Sequence, residues 1–359
     1  MIGNYEQHVG LSSSGRERGV NKDQLERIAQ AMVAKGKGLL AADESTGTIK
    51  KRFDAIGIAS TAETRRDYRE LMFRTRPAMD AHISGVILYD ETIRQTAADG
   101  TALVKLIEAA GAIPGIKVDL GAKPLPGFPG ETITEGLDGL ASRLKDYYGF
   151  GARFAKWRAV IDIGEAIPTG AAIAANAHAL ARYAALCQEA DIVPIVEPEV
   201  LMDGGHSLAR CYEVTEAVLK SVFAELYVQR IFLEGMVLKP NMVVPGKKAA
   251  QQAPVEAVSE ATVRVLKNCV PSAVPGIAFL SGGQSDVEAT AHLDAINHLG
   301  PLPWAVTFSY GRALQAAAQK AWGGRPENVP AAQAAFAHRA RMNGLAAQGE
   351  WAAPLEAAA

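Results

Sequence analysis

The sequence predicts an α/β protein built as a single closed (β/α)8 barrel, the TIM-barrel architecture. Short apolar runs bounded by glycine or proline occur eight times along the 359 residues. Runs that are apolar on both faces are typical of strands buried in a parallel sheet. Helical patterns lie between the runs, and no change of composition divides the chain, which favours one barrel over two domains. A doubly wound open sheet is the alternative that the same pattern allows.

The predicted strands and helices alternate in a regular order. The strands are 38–43, 84–90, 113–119, 153–161, 191–199, 232–240, 276–283 and 304–311. The helices are 61–72, 103–110, 137–148, 171–189, 207–227, 259–266, 285–299 and 313–322, with an extra N-terminal helix over 22–32 before the first strand. Ser207, Ser259 and Ser285 are candidate N-caps, because a serine hydroxyl accepts a hydrogen bond from a free N–H group at a helix start.

The two ends of the chain differ from its middle. Residues 1–20 are polar and lack the apolar core of a secretory signal, so we expect a flexible lead-in. The barrel domain is predicted to span 21–346. The final segment, 347–359, is rich in small residues and contains Pro354, which predicts a mobile C-terminal tail.

Composition argues against several classes of function. Charged residues make up 21% of the chain and the net charge is -2, so no general attraction for nucleic acid or membrane surfaces is expected. Three scattered cysteines are too few for a disulfide framework, which favours a reduced, cytoplasmic setting. The seven histidines form no HxH or HExxH pattern, so no metal site is expected.

Charged or polar side chains close seven of the eight predicted strands. One such residue is usually solvated or held in a structural salt bridge, but the repetition favours a shared site. Because the carboxyl ends of barrel strands surround one mouth, these side chains are expected to converge there. They are Asp43, Lys117, Lys156 with Arg158, Glu197 with Glu199, Lys239, Ser281, and Ser309 with Arg312.

Lys239 lies in the almost wholly apolar stretch "MVLKPNMV". A nucleophilic lysine must be neutral, and lowering its pKa from about 10.4 to about 7–8 requires desolvation and nearby positive charge. The apolar flanks supply the desolvation, and Lys156 or Lys117 could supply the charge. This composition indicates a Schiff-base site, although a lysine that extends out of the barrel rim would look similar.

Two glycine-rich stretches follow the seventh and eighth strands, where barrels commonly bind phosphate through backbone N–H groups. The first contains Gly282 and Gly283, and the second contains Gly311. Arg312 adds a guanidinium that suits a pair of phosphate oxygens.

A second candidate phosphate site follows the first strand in "ESTGTIKKR". It contains Ser45, Thr48, Lys51 and Arg52. A substrate with a phosphate at each end would use both sites, but the same residues could simply begin a capped helix with a basic outer face.

Seven motifs carry a family resemblance that runs from about residue 22 to residue 349. They are "GKGLLAADESTGTI", "GIKVD", "FAKWR", "IVPIVEPE", "LKPNMV", "FLSGGQS" and "TFSYGRALQ". These motifs resemble those of class I fructose-bisphosphate aldolases, the metal-independent Schiff-base lyases of glycolysis and gluconeogenesis. The resemblance implies reversible cleavage of fructose 1,6-bisphosphate to dihydroxyacetone phosphate and glyceraldehyde 3-phosphate, with no cofactor and a homotetrameric assembly.

The resemblance also implies roles for five candidate catalytic residues. Lys239 matches the lysine that forms the imine, and Glu197 matches the carboxyl that moves protons as the carbinolamine forms and loses water. Asp43 matches the acid that orients the substrate and takes the departing hydroxyl proton. Lys156 holds charge and proton balance beside it, and Glu199 is the second carboxylate of that cluster.

The remaining matched residues belong to the substrate. The ketone-side phosphate is assigned to Ser281, Gly282, Gly311 and Arg312, and the other phosphate to Ser45, Thr48, Arg52 and Lys117. Arg158, Gly283 and Ser309 complete the predicted binding set. Thr48 replaces what is often a serine in the family, a change that keeps the hydroxyl.

The chain departs from the resemblance at its end. Animal members of the family end in a tyrosine that assists proton exchange on the enamine, whereas this chain ends "EWAAPLEAAA". Trp351 is the nearest aromatic residue and has no titratable hydroxyl. We therefore expect barrel residues around Glu197 to run the exchange, or the exchange to be slow.

Two other functions stay open at this point. One is another lysine-imine barrel enzyme such as a transaldolase, and the other is a non-catalytic sugar-phosphate binder. Two phosphate loops with Arg312 favour a bisphosphate substrate, and the presence of Lys239, Glu197 and Asp43 argues against a simple binder. The sequence does not determine the preference between fructose 1-phosphate and the bisphosphate.

Overall fold

The computed structural model describes residues 20–357, so the predicted lead-in lies outside the described residues except for Val20. The described strands are β1 (Gly38–Ala42), β2 (Ile83–Leu88), β3 (Ile113–Lys117), β4 (Ala122–Pro124), β5 (Thr132–Thr134), β6 (Phe154–Ile161), β7 (Val193–Val200), β8 (Val237–Leu238), β9 (Gly276–Phe279) and β10 (Ala305–Tyr310). The described helices are α1 (Lys22–Met32), α2 (Thr46–Asp54), α3 (Ala62–Phe73), α4 (Arg76–His82), α5 (Asp90–Ile93), α6 (Leu103–Ala109), α7 (Leu140–Gly149), α8 (Gly170–Glu189), α9 (Leu208–Val228), α10 (Val255–Cys269), α11 (Asp286–His298), α12 (Arg312–Trp322) and α13 (Val329–Ala346).

Eight of these strands form a closed parallel barrel, as predicted. Their order around the barrel is β1, β2, β3, β6, β7, β8, β9 and β10. β1 pairs with β2 on one side and with β10 on the other, where Leu39 lies opposite Ser309. A sheet whose first strand is paired on both edges in this way has closed, so the open-sheet alternative is wrong. β4 and β5 form a separate antiparallel hairpin.

The barrel interior and the helix layer use alternate residues of each strand, because successive side chains of a strand point to opposite faces. In β1, Leu39 and Ala41 belong to an inner buried cluster, whereas Leu40 and Ala42 pack in the outer cluster with the helices. The inner cluster also contains Leu25 and other residues of α1. The predicted extra helix therefore packs onto the barrel interior, and the polar residues gather at the mouth formed by the carboxyl ends of the strands.

Helix starts follow the capping rules at two of the three predicted serines. Ser207 and Ser285 are confirmed as the N-caps of α9 and α11, where each hydroxyl accepts a backbone N–H bond. Ser259 is wrong as an N-cap. Helix α10 begins earlier, directly after Pro254, and the Ser259 hydroxyl donates within the helix to the Glu256 carbonyl at 2.9 Å.

The strand predicted over 232–240 is shorter than expected. A 3-10 turn occupies Leu233–Gly235, which leaves β8 only Val237–Leu238. The ladder continues one residue further, because the backbone N–H of Lys239 donates to the Val196 carbonyl of β7 at 2.8 Å. This bond fixes the backbone of Lys239 against the neighbouring strand.

Helix α13 was not predicted. It is rich in alanine and has no distinct apolar stripe, so its sequence lacks the periodic signal of an amphipathic helix. It packs against α12, α11 and α4 on the outside of the barrel. Within residues 20–357, the structure contains no helix with the length and apolar character needed to cross a membrane.

The described part of the segment predicted as a mobile tail, 347–357, makes polar contacts with two helices, and its mobility stays a prediction. The backbone N–H of Trp351 donates to Asp294 Oδ1 of α11 at 2.9 Å. The indole Nε1 of Trp351 donates to Glu356 at 2.9 Å, and Glu356 also accepts a hydrogen bond from Arg339 of α13. The tail is therefore anchored on α11 and α13 through polar contacts that its alanine-rich composition did not indicate.

Candidate active site

The carboxyl ends of the barrel strands surround a cavity of about 600 Å³. All sixteen residues that the sequence predicted as catalytic or substrate-binding line this cavity. They are Asp43, Ser45, Thr48, Arg52, Lys117, Lys156, Arg158, Glu197, Glu199, Lys239, Ser281, Gly282, Gly283, Ser309, Gly311 and Arg312. The fold thus brings the candidate lysine, the carboxylates and both glycine-rich stretches to one mouth, while the role of each residue stays a proposal.

A row of alternating charges crosses the floor of the cavity. Lys239 Nζ lies 3.2 Å from Glu197 Oε1, and Lys156 Nζ lies 3.3 Å from Glu197 Oε2. Lys156 Nζ also lies 2.8 Å from Asp43 Oδ2. Lys156, Glu197 and Lys239 are only 3–4% exposed. Buried charges are tolerated when each has an opposite partner, and this row provides one for every member.

Lys156 and Glu197 do not close their strands, contrary to the prediction. β6 continues to Ile161 and β7 to Val200, so both residues lie inside their strands. In the register of this pair, Arg158 lies opposite Glu197. Since alternate residues of a strand share a face, Lys156 and Arg158 both reach the cavity, as do Glu197 and Glu199.

The surrounding positive charges keep the two carboxylates of this row, Glu197 and Asp43, ionised. Burial alone would raise the pKa of Glu197, but Lys156, Lys239 and Arg158 outweigh it and lower that pKa. Burial is likewise outweighed at Asp43, whose pKa is held well below its usual range by Lys156 and Lys239.

Lys156 shows the complementary behaviour. Burial would lower the pKa of Lys156, yet Asp43, Glu197 and Asp119 raise it well above the ordinary lysine value. Lys156 therefore stays an ammonium and is unsuited to attack a carbonyl. Lys239 is the other lysine of the row and shares Glu197 with Lys156. Lys156 is also the positive charge near Lys239 that the sequence argument required.

Asp119 is a site residue that the sequence prediction omitted. Its Oδ1 lies 3.3 Å from Lys117 Nζ, and its Oδ2 lies 4.0 Å from Lys156 Nζ. It also accepts the backbone N–H of Gly121 at 3.1 Å and that of Arg158 at 3.3 Å. Asp119 ends the apolar run 113–119 and alternates with Lys117, so the same strand-end rule could have found it.

Glu44 is the second omission. It is 7% exposed and forms an ion pair with Arg52. Gln315 Nε2 donates to Glu44 Oε1 at 3.0 Å, and Arg69 Nη2 lies 3.7 Å from Glu44 Oε2. These contacts fix the carboxylate that positions Arg52 at the cavity. The signal in the sequence was weak, because Glu44 directly follows Asp43 and nothing in the pattern separates their roles.

The loop after β9 has a backbone suited to anion binding. Gly282 and Gly283 have φ values of +59° and +102°, a region in which side chains other than glycine are strained. Gly311 directly precedes α12, and the first turn of an α-helix leaves N–H groups that bind anions. Among the described residues, Ser309 Oγ is buried without a hydrogen-bond partner, so it can bind a ligand in the cavity.

The opposite side of the cavity begins with α2. Ser45 is its N-cap, and the Ser45 hydroxyl lies 3.1 Å from that of Thr48. The capped-helix alternative is therefore correct locally, and both hydroxyls nevertheless line the cavity. Arg52 Nη2 lies 3.8 Å from the position that a Cβ on Gly311 would occupy. Arg52 therefore lies close to the second glycine-rich stretch as well as to its own helix.

Arg158 and Glu199 form a hydrogen-bonded ion pair at the rim, through Arg158 Nε and Glu199 Oε2. The Arg158 side chain is 41% exposed, whereas that of Glu199 is 8% exposed. Burial opposes the charge on Arg158, but Glu199 raises its pKa above the ordinary value. Glu199 is therefore partnered by Arg158, a different arrangement from that of Glu197 beside Lys239.

A closed barrel whose mouth holds a buried lysine next to an ionised carboxylate points to the class of lyases that work through an imine. A family model for class I fructose-bisphosphate aldolase matches residues 24–359. The chain therefore belongs to the class I fructose-bisphosphate aldolase family. This family uses a Schiff-base lysine and needs no metal, and no group of residues within 20–357 is placed to hold a metal ion.

Individual relatives agree with this assignment. The chain is 59% identical to a probable fructose-bisphosphate aldolase class 1 of Xanthomonas campestris pv. campestris, covering 92% of this chain and 98% of the relative. It is 53% identical to a non-muscle fructose-bisphosphate aldolase of Lethenteron camtschaticum, covering 92% and 91%. A solved structure of fructose-bisphosphate aldolase from Plasmodium falciparum is similar with a TM-score of 0.90 and 49% identity, over 92% and 96% of the chains.

Proposed function

We propose that this chain cleaves fructose 1,6-bisphosphate reversibly to dihydroxyacetone phosphate and glyceraldehyde 3-phosphate, with Lys239 as the imine-forming residue. The observation that carries this assignment is the 3.2 Å contact between Lys239 Nζ and Glu197 Oε1, two residues that are each less than 5% exposed. An amine must lose a proton before it attacks a carbonyl, and an ionised carboxylate at this distance can accept it.

The proposed reaction proceeds in balanced steps. Lys239 adds to the ketone carbon, and Glu197 returns a proton to the hydroxyl that leaves as water, which produces a protonated imine. The bond between the third and fourth carbons then breaks. Its electron pair moves to the imine nitrogen to form an enamine, while Asp43 takes the proton from the hydroxyl of the fourth carbon. Protonation of the enamine and hydrolysis of the imine release the second product.

Lys156 keeps the carboxylates of Asp43 and Glu197 ionised during these proton transfers. Its ammonium lies between the carboxylates of Asp43 and Glu197, at 2.8 Å and 3.3 Å. By holding the pKa of both carboxylates low, it keeps each one free to accept a proton. Glu199, paired with Arg158, adds a further ion pair to the lining of the same cavity.

A cleavage assay tests the reaction itself. The purified protein is expected to convert fructose 1,6-bisphosphate to equal amounts of the two triose phosphates, each measured with its own coupling enzyme. A transaldolase would instead hold the triose unit until a second aldehyde accepts it, and a non-catalytic binder would release neither product. Failure to detect either triose phosphate would contradict the proposal.

Arg312 is proposed to bind the ketone-side phosphate with the N–H groups of the adjacent loops. Arg312→Ala is expected to raise KM for fructose 1,6-bisphosphate about 10- to 150-fold, because a hydrogen bond to a charged group contributes about 1.5–3 kcal/mol. Steady-state kinetics measure this effect. Arg182→Ala is the matched control, since Arg182 is an exposed residue of α8 outside the cavity. An unchanged KM in Arg312→Ala would show that this residue does not bind the substrate.

The tail is proposed to contribute stability rather than proton exchange. Deleting 352–359 removes Glu356, the partner of the buried Arg339, and should lower the free energy of unfolding by roughly 1–3 kcal/mol. Exchange of the enamine proton should change less than about threefold, since the tail carries no phenol. Denaturant melts and detritiation of dihydroxyacetone phosphate measure the two effects. A large loss of enamine proton exchange in a folded deletion variant would show that the tail takes part in the exchange.

The cellular and quaternary context belongs to the same proposal. We propose a cytoplasmic enzyme of glycolysis and gluconeogenesis that assembles as a homotetramer. Support for the first part is the state of the cysteines, since Cys187, Cys211 and Cys269 are all free thiols. Support for assembly comes from Tyr227 and Val228, which are adjacent, apolar, and 85% and 66% exposed at the end of α9. Light scattering of the purified protein tests the tetramer.

A further inference from the structure

The segment that follows β8 is hydrogen-bonded to the loop after β7 and lies beside the glycine-rich loop 281–283. Three backbone hydrogen bonds join it to the loop after β7: Gly246 N to His206 O at 2.9 Å, Lys247 N to Met202 O at 2.7 Å, and Lys248 N to Gly204 O at 2.9 Å. The two loops touch closely at Gly246, where a Cβ would lie 2.1 Å from the Gly204 carbonyl oxygen. The backbone of this segment therefore has a fixed place.

This placement puts the ammonium of Lys247 directly against Gly283. Lys247 Nζ lies 2.3 Å, and Arg312 Nη2 lies 3.3 Å, from the position that a Cβ on Gly283 would occupy. The two cations thus approach the same face of the loop from different elements, one from the segment after β8 and the other from α12. The Lys247 ammonium would have to move away if residue 283 carried a side chain.

The carboxylate partner of Lys247 does not account for this arrangement. Lys247 Nζ lies 3.2 Å from Asp203 Oδ1, with side-chain exposures of 39% and 64%. An exposed pair of this kind contributes little to stability. Two cations beside one another repel in the free protein, and an anion with two charges placed between them would remove that repulsion. A phosphate monoester dianion has the charge and the acceptor oxygens that both side chains require.

We propose that Lys247 is a further phosphate-binding residue, which acts with Arg312 on the ketone-side phosphate. The inference rests on the proposed function, because it assumes that this end of the cavity holds a sugar phosphate. Lys247 lies outside both the "LKPNMV" and the "FLSGGQS" motifs and does not contact the row of charges around Lys239. Its contribution is therefore to substrate affinity rather than to bond cleavage.

Three variants test this role. Lys247→Met removes the charge, Lys247→Arg restores it, and Lys248→Met is the matched control, since Lys248 is the adjacent exposed lysine. Lys247→Met should raise KM for fructose 1,6-bisphosphate about tenfold and leave kcat within about twofold. Lys247→Arg should return KM to within about threefold of the parent value, and Lys248→Met should leave it unchanged. The inhibition constant of inorganic phosphate should rise in Lys247→Met in parallel with KM.

The outcomes separate this inference from the proposed function. An unchanged KM in Lys247→Met, or a raised KM that Lys247→Arg does not restore, would overturn the role of Lys247. Calorimetric titration of the parent protein and Lys247→Met with dihydroxyacetone phosphate supplies a readout without turnover. If the parent protein bound this ligand more tightly than Lys247→Met but did not cleave the bisphosphate, the proposed function would fail and the role of Lys247 would stand.

Discussion

Lys239→Arg is expected to lower kcat for cleavage by on the order of 10⁴-fold or more, the largest effect of any substitution in this protein. A guanidinium stays protonated at neutral pH and cannot form an imine, so the covalent route is lost rather than slowed. Arginine keeps the positive charge beside Glu197, which limits the electrostatic change in the buried row. Progress curves at high enzyme concentration measure the residual rate.

Two controls make this result specific to the nucleophile. The far-ultraviolet circular dichroism and melting temperature of Lys239→Arg show whether the barrel is intact. Lys117→Arg changes a different lysine of the same cavity, one that is paired with Asp119 at 3.3 Å. It should retain measurable turnover. Cleavage by a folded Lys239→Arg protein at more than a few per cent of the parent rate would show that another residue forms the imine.

Glu197→Gln is expected to have the second largest effect, a loss of about 10²- to 10⁴-fold in kcat, the usual range for a positioned acid or base. The amide has the same shape but cannot accept the proton of Lys239 or return one to the leaving hydroxyl. The parent carboxylate can do both because nearby cations outweigh burial and lower its pKa. Single-turnover kinetics should locate the loss in imine formation, before the carbon–carbon bond breaks.

Glu199→Gln provides the comparison for this variant. Glu199 lies two residues further along β7 and is bound to Arg158 rather than to Lys239. Its substitution should lower kcat less than that of Glu197 and should affect KM through the position of Arg158. Equal losses in the two variants would mean that the negative charge of each carboxylate matters and that the contact between Glu197 and Lys239 does not.

The barrel could be predicted because buried parallel strands have a strong local signature. The eight apolar runs contain the eight barrel strands to within a residue or two at most ends, and the helix over 22–32 has the predicted bounds. Closure of the sheet follows from the pairing of β1 with β10, a contact between distant parts of the chain. Helix α13 was not predicted because its alanine-rich sequence has no distinct apolar face.

The candidate site was predictable as a set but not in its geometry. The strand-end rule collected residues that do line one cavity, although Lys156 and Glu197 lie inside their strands rather than at the strand ends. The rule could not show that Lys156 lies between two carboxylates. This depends on the register of β6 against β7 and on the position of Asp43, directly after β1, beside Lys156.

Some contacts have no local signal at all. The hydrogen bond of Glu44 with Gln315 joins residues that are distant in sequence. Lys247 reaches Gly283 only because backbone bonds between two loops fix its position. Glu356 anchors the tail through Arg339, which no pattern in the alanine-rich ends of the chain indicates. Such contacts depend on the folded arrangement and appear only in the structure.

Covalent trapping is the measurement that tests the central claim most directly. The protein is mixed with dihydroxyacetone phosphate, reduced with borohydride, and examined by intact mass and peptide mapping. The account predicts one added triose phosphate per chain, located on Lys239, and no addition in Lys239→Arg. Addition on Lys156 or Lys117, or no addition to a protein that cleaves the bisphosphate, would contradict it.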